Sequence, residues 1–286
     1  MSTTTATHTF TVGRDLEVHR LGFGAMRITG EGVWGPPEDR ERAKAVLRRA
    51  LELGVDLVDT ADSYGPEVSE QLIAEALHPY PKGLVVATKG GLTRPGPGRW
   101  EPDCRPERLR RCCEESLRRL RLERIDLYQL HTVDRNVPYE ESIGALRELQ
   151  QEGKIRHVGI SNVDVAHYER AREIVEVATV QNRFNLTDRA SEDVLERCAA
   201  DGVGFIPWFP LAVGKLAREG GPLDEVARAH GATPSQVALA WLLARSPVML
   251  PIPGTASVEH LEDNMGAREI RLGEDEVEQL ADLSDM

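Results

Sequence analysis

The chain contains 286 residues, of which 41% are hydrophobic and 29% charged, and its formal net charge is −12 at pH 7. This composition is ordinary for a globular protein with a packed core, and the length suits two small domains or one large α/β barrel. The acidic balance argues against nucleic-acid binding, because phosphate contacts need a basic surface. We expect neither a signal peptide, since the N-terminus lacks a basic start and an apolar segment, nor a membrane span.

Four cysteines are present: Cys104, Cys112, Cys113 and Cys198. None belongs to a CxxC pair or stands at the histidine spacing of a zinc site, so we predict no metal site. Cys112 and Cys113 are neighbours in a helical segment, where they are poorly placed to bridge each other. Reduced thiols are typical of a reducing compartment, and we therefore expect a cytoplasmic protein.

In chain order, the first predicted element is a β-hairpin at residues 10–18, where apolar residues alternate around a Gly-Arg-Asp turn. Short apolar runs then predict eight strands, at 20–24, 55–59, 84–89, 125–131, 156–162, 178–182, 204–209 and 248–253. Apolar residues at helical spacing predict helices around 43–51, 105–120, 139–151, 165–176, 191–200, 233–244 and 257–267. A last helix is predicted over 274–285.

Strands that alternate with helices of this length indicate a parallel sheet. Eight such units in about 250 residues are typical of a closed (β/α)₈ TIM barrel, here with an N-terminal hairpin and an extra C-terminal helix. No repeat or linker divides the chain, so we predict one domain over 1–286, with residues 1–8 as a flexible tail. A doubly wound fold is the alternative; it is weaker because Arg27 stands where its dinucleotide loop needs a third glycine.

The predicted strands end in polar and aromatic side chains, and in a barrel these ends form the active site. The second, third and fourth strands end in Asp59, Lys89 and His131, and Tyr64 follows in the loop after Asp59. The next three strands end in Ser161-Asn162, Gln181-Asn182 and Trp208. Such a ring of groups indicates a functional site.

Four of these residues suit acid catalysis of a carbonyl reduction. A tyrosine, with a free pKa near about 10, is a poor acid, but a lysine ammonium beside it lowers that pKa. Lys89 would need a counter-ion, for which Asp59 is placed, and His131 can orient a carbonyl oxygen by hydrogen bonding. Tyr64 would then protonate that oxygen as hydride adds to the carbon, a catalytic contribution of about 10²–10⁴-fold.

The segments DTADSYG, ATK, IDLYQLH, GKIRHVGISN, VQNRFN and IPGTASVEHLEDN together resemble the aldo-keto reductase superfamily, and they follow that family's order. EGVWGPPEDR, SYGPEV, EALHPY and WFPL are similar to its bacterial pyridoxal reductase-like branch. The resemblance implies NADPH-dependent reduction of an aldehyde or ketone. It also implies that Tyr64 is the proton donor, that Lys89 and Asp59 tune its pKa, and that His131 orients the carbonyl.

The resemblance further implies residues that bind NADP(H) in an extended form. Ser161, Asn162 and Gln181 would hold the carboxamide, and Trp208 would stack on the nicotinamide where the family usually has tyrosine. Gly254 and His260 replace the lysine and arginine that often bind the 2′-phosphate, and His260 lacks the fork of an arginine, so NAD(H) tolerance is also expected. The remaining implied contacts are Gly24, Pro210, Leu211, Thr255, Ser257 and Asn264, the last facing the adenine.

Loops near the predicted site supply a substrate pocket. Trp34, Trp100 and Trp208 are predicted to line a flat apolar pocket. The loop at 90–100 is rich in glycine and proline and is predicted to be a mobile lid. Arg94 and Arg99 in that loop could meet an anionic substrate, but we favour solvated side chains.

Three residues in these segments have structural interpretations. Asp62 is interpreted as a structural loop residue. Ser161 and Asn162 could instead cap the following helix.

Three classes of function stay open from the sequence. The leading hypothesis is a monomeric NADPH-dependent reductase of a small-molecule carbonyl, of pyridoxal type or a specialised biosynthetic carbonyl or imine. The second is an NADPH-binding regulatory subunit. A barrel lyase or hydrolase is weaker, because the sequence offers no cluster of metal ligands.

Overall fold

The computed structural model describes residues 8–212 and 223–282. Residues 1–7 of the predicted tail and 283–285 of the predicted last helix lie outside this range. The strands are β1 (Thr9–Val12), β2 (Leu16–His19), β3 (Phe23–Gly24), β4 (Leu57–Asp59), β5 (Val85–Gly90), β6 (Leu92–Gly96), β7 (Arg99–Pro102), β8 (Ile125–Leu130), β9 (Ile155–Ser161), β10 (Val177–Arg183) and β11 (Gly204–Trp208). The helices are α1 (Arg40–Glu52), α2 (Val68–Leu77), α3 (Pro106–Leu120), α4 (Tyr139–Gln151), α5 (Val165–Arg172), α6 (Glu192–Asp201), α7 (Asp224–His230), α8 (Pro234–Arg245), α9 (Val258–Met265) and α10 (Glu274–Ala281).

The main sheet has seven strands in the order β11-β10-β9-β8-β5-β4-β3, and its neighbours pair in parallel. The predicted eighth strand, 248–253, joins each of the two edges by two hydrogen bonds instead of a longer regular ladder. Leu250 N donates to Phe205 O of β11 over 2.8 Å, and Gly24 N of β3 donates to Pro253 O over 3.3 Å. Pro251 and Pro253 have no N–H to donate, so the segment closes the barrel without forming a full strand. The predicted barrel is confirmed.

The predicted N-terminal hairpin is present as β1–β2 and covers one end of the barrel. Its Val12, Leu16 and Val18 pack in one cluster with side chains that point into the barrel, including Leu57, Val85, Ala87, Leu127, Ala178, Ile206 and Leu250. A second and larger core lies between the strands and the surrounding helices. Burial of apolar side chains on both faces explains why the strands read as continuous apolar runs.

Two helices, α2 and α7, were missing from the prediction. Helix α2 is buried on most of its surface, including Ser69 and Glu70, so it shows no narrow apolar stripe. The predicted lid at 90–100 contains most of the two-stranded hairpin β6–β7. No helix in the described ranges has the length and apolar character to cross a membrane.

Candidate active site

The four predicted catalytic residues lie together at the carboxyl ends of the strands. Asp59 ends β4, Lys89 lies near the end of β5, and His131 directly follows β8. Lys89 Nζ donates to Asp59 Oδ2 over 2.6 Å and to Thr60 O over 2.7 Å, fully buried. The ring centroid of Tyr64 lies 5.3 Å from Lys89 Nζ and 5.7 Å from the centroid of the His131 ring.

Two glutamines complete the surroundings of the Asp59 carboxylate. Gln129 Nε2 and Gln181 Nε2 donate to Asp59 Oδ1 over 3.1 and 3.0 Å, so each carboxylate oxygen has a donor. A buried ion pair is tolerated only when its remaining polar atoms are satisfied in this way. Gln129 was not predicted as a site residue; its one signal is a fully buried glutamine two residues before His131, in the strand IDLYQL.

Burial governs the protonation of the site. It raises the pKa of Tyr64 well above the usual value, and the charges of Asp59 and Asp62 raise it further. It lowers the pKa of His131 well below the usual value, with a further contribution from Lys89. The net shift of the Tyr64 pKa is therefore upward, and the lowering contribution expected from Lys89, whose ammonium is bonded to Asp59, stays a prediction. Tyr64 is a neutral phenol that carries a proton, and His131 is a neutral imidazole.

The residues predicted to hold the carboxamide form a chain of hydrogen bonds. Asn162 Nδ2 donates to His131 O over 2.9 Å and to Ser161 Oγ over 3.1 Å, and Ser161 Oγ donates to Gln181 O over 2.7 Å. Trp208 Nε1 donates to Asn162 Oδ1 over 3.0 Å. Asn162 adopts the left-handed backbone conformation, with φ of 58°. This chain links the predicted nicotinamide contacts to His131.

The alternative in which Ser161 and Asn162 cap the next helix is wrong. Helix α5 begins after Asp164, whose carboxylate accepts from His167 N over 2.8 Å. The side chains of Ser161 and Asn162 bond instead within the site.

A cavity of about 650 Å³ opens beside Tyr64 and His131. Most of the predicted cofactor and substrate residues line it: Gly24, Trp100, Ser161, Asn162, Gln181, Trp208, Pro210, Leu211, Gly254 and Thr255. Apolar side chains that were not predicted complete the wall, namely Met26, Leu92, Phe209 and Ile252. The cavity is apolar with a few convergent polar groups, as is typical of small-molecule sites.

A second cavity, of about 710 Å³, contains the remaining phosphate-binding candidates. Ser257 and His260 line it, and it shares Thr255 and Ala256 with the first cavity. Trp34 also lines this second cavity and not the one beside Tyr64, so its place in the substrate pocket stays a prediction. The guanidinium carbon of Arg94 lies 5.4 Å from the Trp34 ring centroid.

The segment that joins the two cavities has a tight backbone. A Cβ on Gly24 would lie 2.6 Å from Ile252 O, and one on Gly254 would lie 2.5 Å from Gly24 O. Ser257 caps α9 by accepting from His260 N. Asn264 is buried and lines neither cavity, so its contact with an adenine stays a prediction.

Two arginines near the cavities were missed. Arg27 lines the first cavity and Arg42, in the first turn of α1, lines the second. Neither arginine belongs to a recognisable sequence motif, and only the folded structure shows that they lie beside the cavities. Arg99 is exposed as expected, whereas Arg94 is only 8% exposed, so its predicted solvation is wrong.

Asp62 is buried in the loop that carries Tyr64. Burial, with a further contribution from the charge of Glu70, raises the pKa of its carboxyl group to about 7. The Cys112 thiol hydrogen-bonds to the carboxyl group, while Asp62 Oδ1 has no partner in the described structure. The four cysteines are unpaired and buried. Within residues 8–212 and 223–282, no group of three histidines, cysteines or acids is arranged to hold a metal ion.

Comparisons with known proteins agree with this geometry. The family model described as "Aldo/keto reductase family" matches residues 20–285. Pyridoxine 4-dehydrogenase of Escherichia coli is 44% identical over 285 residues, covering 98% of this chain and 99% of its own length. An uncharacterized oxidoreductase of Schizosaccharomyces pombe is 52% identical over 258 residues, covering 90% and 84%.

Among solved structures, an aldo/keto reductase from Klebsiella pneumoniae in complex with NADP and acetate superimposes with a TM-score of 0.81. It is 29% identical, and the match covers 97% of this chain and 95% of that one. The expected family and enzyme class are confirmed. The chain belongs to the aldo/keto reductase family.

Proposed function

We propose that this protein reduces an aldehyde or ketone to the alcohol with NADPH, and that Tyr64 supplies the proton. The observation that carries the proposal is the convergence of Tyr64 and His131 on one cavity, above the buried pair of Lys89 and Asp59. When bound, the nicotinamide supplies the hydride for the carbonyl carbon. The protein's own side chains must then place the carbonyl oxygen and deliver a proton to it.

His131 and Tyr64 divide that task. The neutral imidazole donates a hydrogen bond to the carbonyl oxygen, and Ser63 Oγ, 3.4 Å from His131 Nδ1, helps to orient the ring. Tyr64 keeps its proton until negative charge develops on that oxygen, because burial has raised its pKa. Lys89, whose Nζ lies 5.3 Å from the centroid of the Tyr64 ring, then stabilises the phenolate. Asp59 keeps the lysine charged and fixed in place.

The residues present fit an extended dinucleotide. Gln181 uses its amide N–H for Asp59, which leaves its carbonyl oxygen for a carboxamide. The predicted contacts continue through the two joined cavities to Ser257 and His260. Arg42 adds a cation to the second cavity, which supports NADP(H) and leaves NAD(H) tolerance as a secondary expectation. The Klebsiella structure with NADP supports the same cofactor.

The cavity favours a flat aromatic substrate. Trp100, Trp208 and Phe209 line it, together with Met26 and Leu92. Flat rings fill such walls with little loss of conformational freedom. The resemblance to pyridoxine 4-dehydrogenase supports a pyridoxal-type aldehyde.

The test is NADPH consumption by the purified protein with pyridoxal, an activated benzaldehyde and propanal, repeated with NADH. Tyr64→Phe should lower turnover by at least about 10²-fold and leave NADPH affinity, measured by fluorescence, nearly unchanged. Tyr168→Phe is the matched control, since it removes a hydroxyl on α5, outside both cavities, that donates to Asp201. Equal turnover of wild type and Tyr64→Phe would contradict the proposed acid.

The same experiment separates the alternatives. NADPH binding without turnover on any carbonyl would favour a biosynthetic imine or a regulatory subunit. A cytoplasmic location also belongs to the proposal and is supported by the unpaired thiols. A monomeric state and the lack of nucleic-acid binding stay predictions; size-exclusion chromatography with and without DNA tests both.

A further inference from the structure

One wall of the site is built from three loops. Residues 30–35 follow β3, residues 60–65 follow β4, and the hairpin β6–β7 follows β5. The first two loops are joined by a hydrogen bond from Gly35 N to Gly65 O, 2.8 Å long. The strand β7 is exposed at every residue, so the hairpin needs another contact to hold it against the wall.

Arg94 supplies that contact. Its Nη1 donates to Val33 O over 2.8 Å and to Ser63 O over 3.2 Å. Its Nη2 donates to Gly32 O over 3.4 Å, and its Nε donates to Arg99 O over 3.0 Å. One side chain on β6 therefore bonds to both other loops and to the opposite strand of its own hairpin.

The same guanidinium group fixes an aromatic wall. Its carbon lies 3.6 Å from the centroid of the Trp100 ring, a close stacking contact. Trp100 is 37% exposed and lines the cavity, where its ring meets Tyr64 edge-on with centroids 6.3 Å apart. Without Arg94, little else would hold this exposed ring in one orientation.

The loop 30–35 also depends on this contact. Val33 has φ of 58°, a left-handed conformation that is unfavourable for a β-branched residue and persists only when its surroundings enforce it. The carbonyl of Val33 is one of the acceptors for Arg94 Nη1.

Tyr64 is also held by hydrogen bonds that do not involve Arg94. Its own N–H donates to Ala61 O over 3.2 Å, and its carbonyl accepts from Ser69 N over 3.1 Å. In this loop, Arg94 bonds only to the carbonyl of the preceding residue, Ser63, so we expect loss of Arg94 to disturb the aromatic wall more than the position of the acid.

We propose that Arg94 is a positioning residue that sets substrate specificity, by holding Trp100 and the three loops as one preformed wall that selects flat aromatic carbonyls over small aliphatic ones. This inference rests on the proposed carbonyl reduction. A lysine would not replace Arg94, because its single ammonium lacks the planar fork that reaches several carbonyls and stacks on an indole.

The test compares Arg94→Ala and Arg94→Lys with Arg99→Ala. Arg99 is the matched control, because it lies on the same hairpin but is exposed, and its side chain pairs with Glu101 of that same hairpin. In both Arg94 variants, we expect KM for an activated benzaldehyde to rise about tenfold, while kcat changes less than about threefold. KM for propanal should stay within about twofold, because a small aldehyde needs only Tyr64 and His131. Arg99→Ala should match wild type.

Hydrogen exchange of the backbone amides gives a second readout that needs no turnover. In both Arg94 variants, exchange should speed up by at least about tenfold in peptides that cover 30–35 and 92–102, and not in the barrel strands. Exchange unchanged in these peptides, or equal losses for the two aldehydes, would overturn the inference. If wild type reduces neither aldehyde, the proposed function fails, and the exchange result still decides whether Arg94 holds the wall.

Discussion

Two buried aspartates in one short segment have opposite surroundings. Asp59 accepts from Lys89, Gln129 and Gln181, so both of its oxygens are bonded. Asp62, three residues later, has one oxygen without a partner, and its pKa is raised to about 7. Burial is nearly equal, at 2% and 6% exposure. The two carboxyl groups are thus buried to a similar depth and differ in their hydrogen-bond donors and in the Lys89 ammonium beside Asp59.

Asp59→Asn should break the better-satisfied site and have the largest effect. The Lys89 ammonium would stay buried without its counter-ion, so we expect a loss of roughly 3–5 kcal/mol in the free energy of unfolding. Turnover should fall by at least about 10²-fold, because a lysine that loses its proton no longer stabilises a Tyr64 phenolate. Urea unfolding and NADPH consumption measure both effects. A change in stability below about 1 kcal/mol would contradict the role of the pair.

Asp62→Asn should have the opposite sign and depend on pH. The folded-state pKa of Asp62 is raised to about 7, so the folded protein binds this proton more tightly than the unfolded chain does. Its contribution to stability therefore falls as pH rises from about 4 to about 7, and the cost persists above that. One pKa unit corresponds to about 1.4 kcal/mol.

We accordingly expect Asp62→Asn to stabilise the protein by roughly 2–4 kcal/mol at pH 8 relative to its effect at pH 4. Urea unfolding at the two pH values measures the difference. Asp164→Asn, which alters an exposed helix cap, is the control. A pH-independent difference between wild type and Asp62→Asn would show that Asp62 does not titrate in this range.

Gln129→Leu should have the smallest effect on stability of the three substitutions, and it tests how many donors Asp59 needs. It removes one donor from Asp59 Oδ1 and leaves the donor from Gln181. A partly unsatisfied buried carboxylate costs about 1–3 kcal/mol, and we expect the lower half of that range. With one donor fewer on Asp59, the stability of the variant should also fall slightly as pH rises, in the same direction as the effect of Asp62. Stability equal to wild type would mean that two donors suffice for Asp59.

The sequence predicted Asp59, Lys89 and His131 because each ends a strand, and parallel strands end at the same rim. The sequence could not show that Asp59 and Asp62 have different surroundings. The amide donors of Asp59 come from β8 and β10, 70 and 122 residues away, so only the fold shows that Asp59 receives them and Asp62 does not. Arg94 was misjudged for a similar reason. Its acceptors are backbone carbonyls of distant loops. Every residue has a backbone carbonyl, so the amino-acid sequence does not indicate which of them accept a hydrogen bond from Arg94.

The fold showed the same limit. The barrel followed from alternation of strands and helices, which is local information. Helix α2 was missed because it is buried on most of its surface. The eighth strand was predicted in position but not in pairing, because its prolines interrupt the ladder.

The contact between Gly24 and Gly254 restricts how this sequence can evolve. A methyl group at either position would meet backbone and not a movable side chain. A change at one position therefore cannot be compensated by a smaller residue at the other, since both already carry the smallest. Related proteins that keep this close approach of β3 to the segment 248–254 must therefore keep both glycines, or shift the backbone of one segment relative to the other.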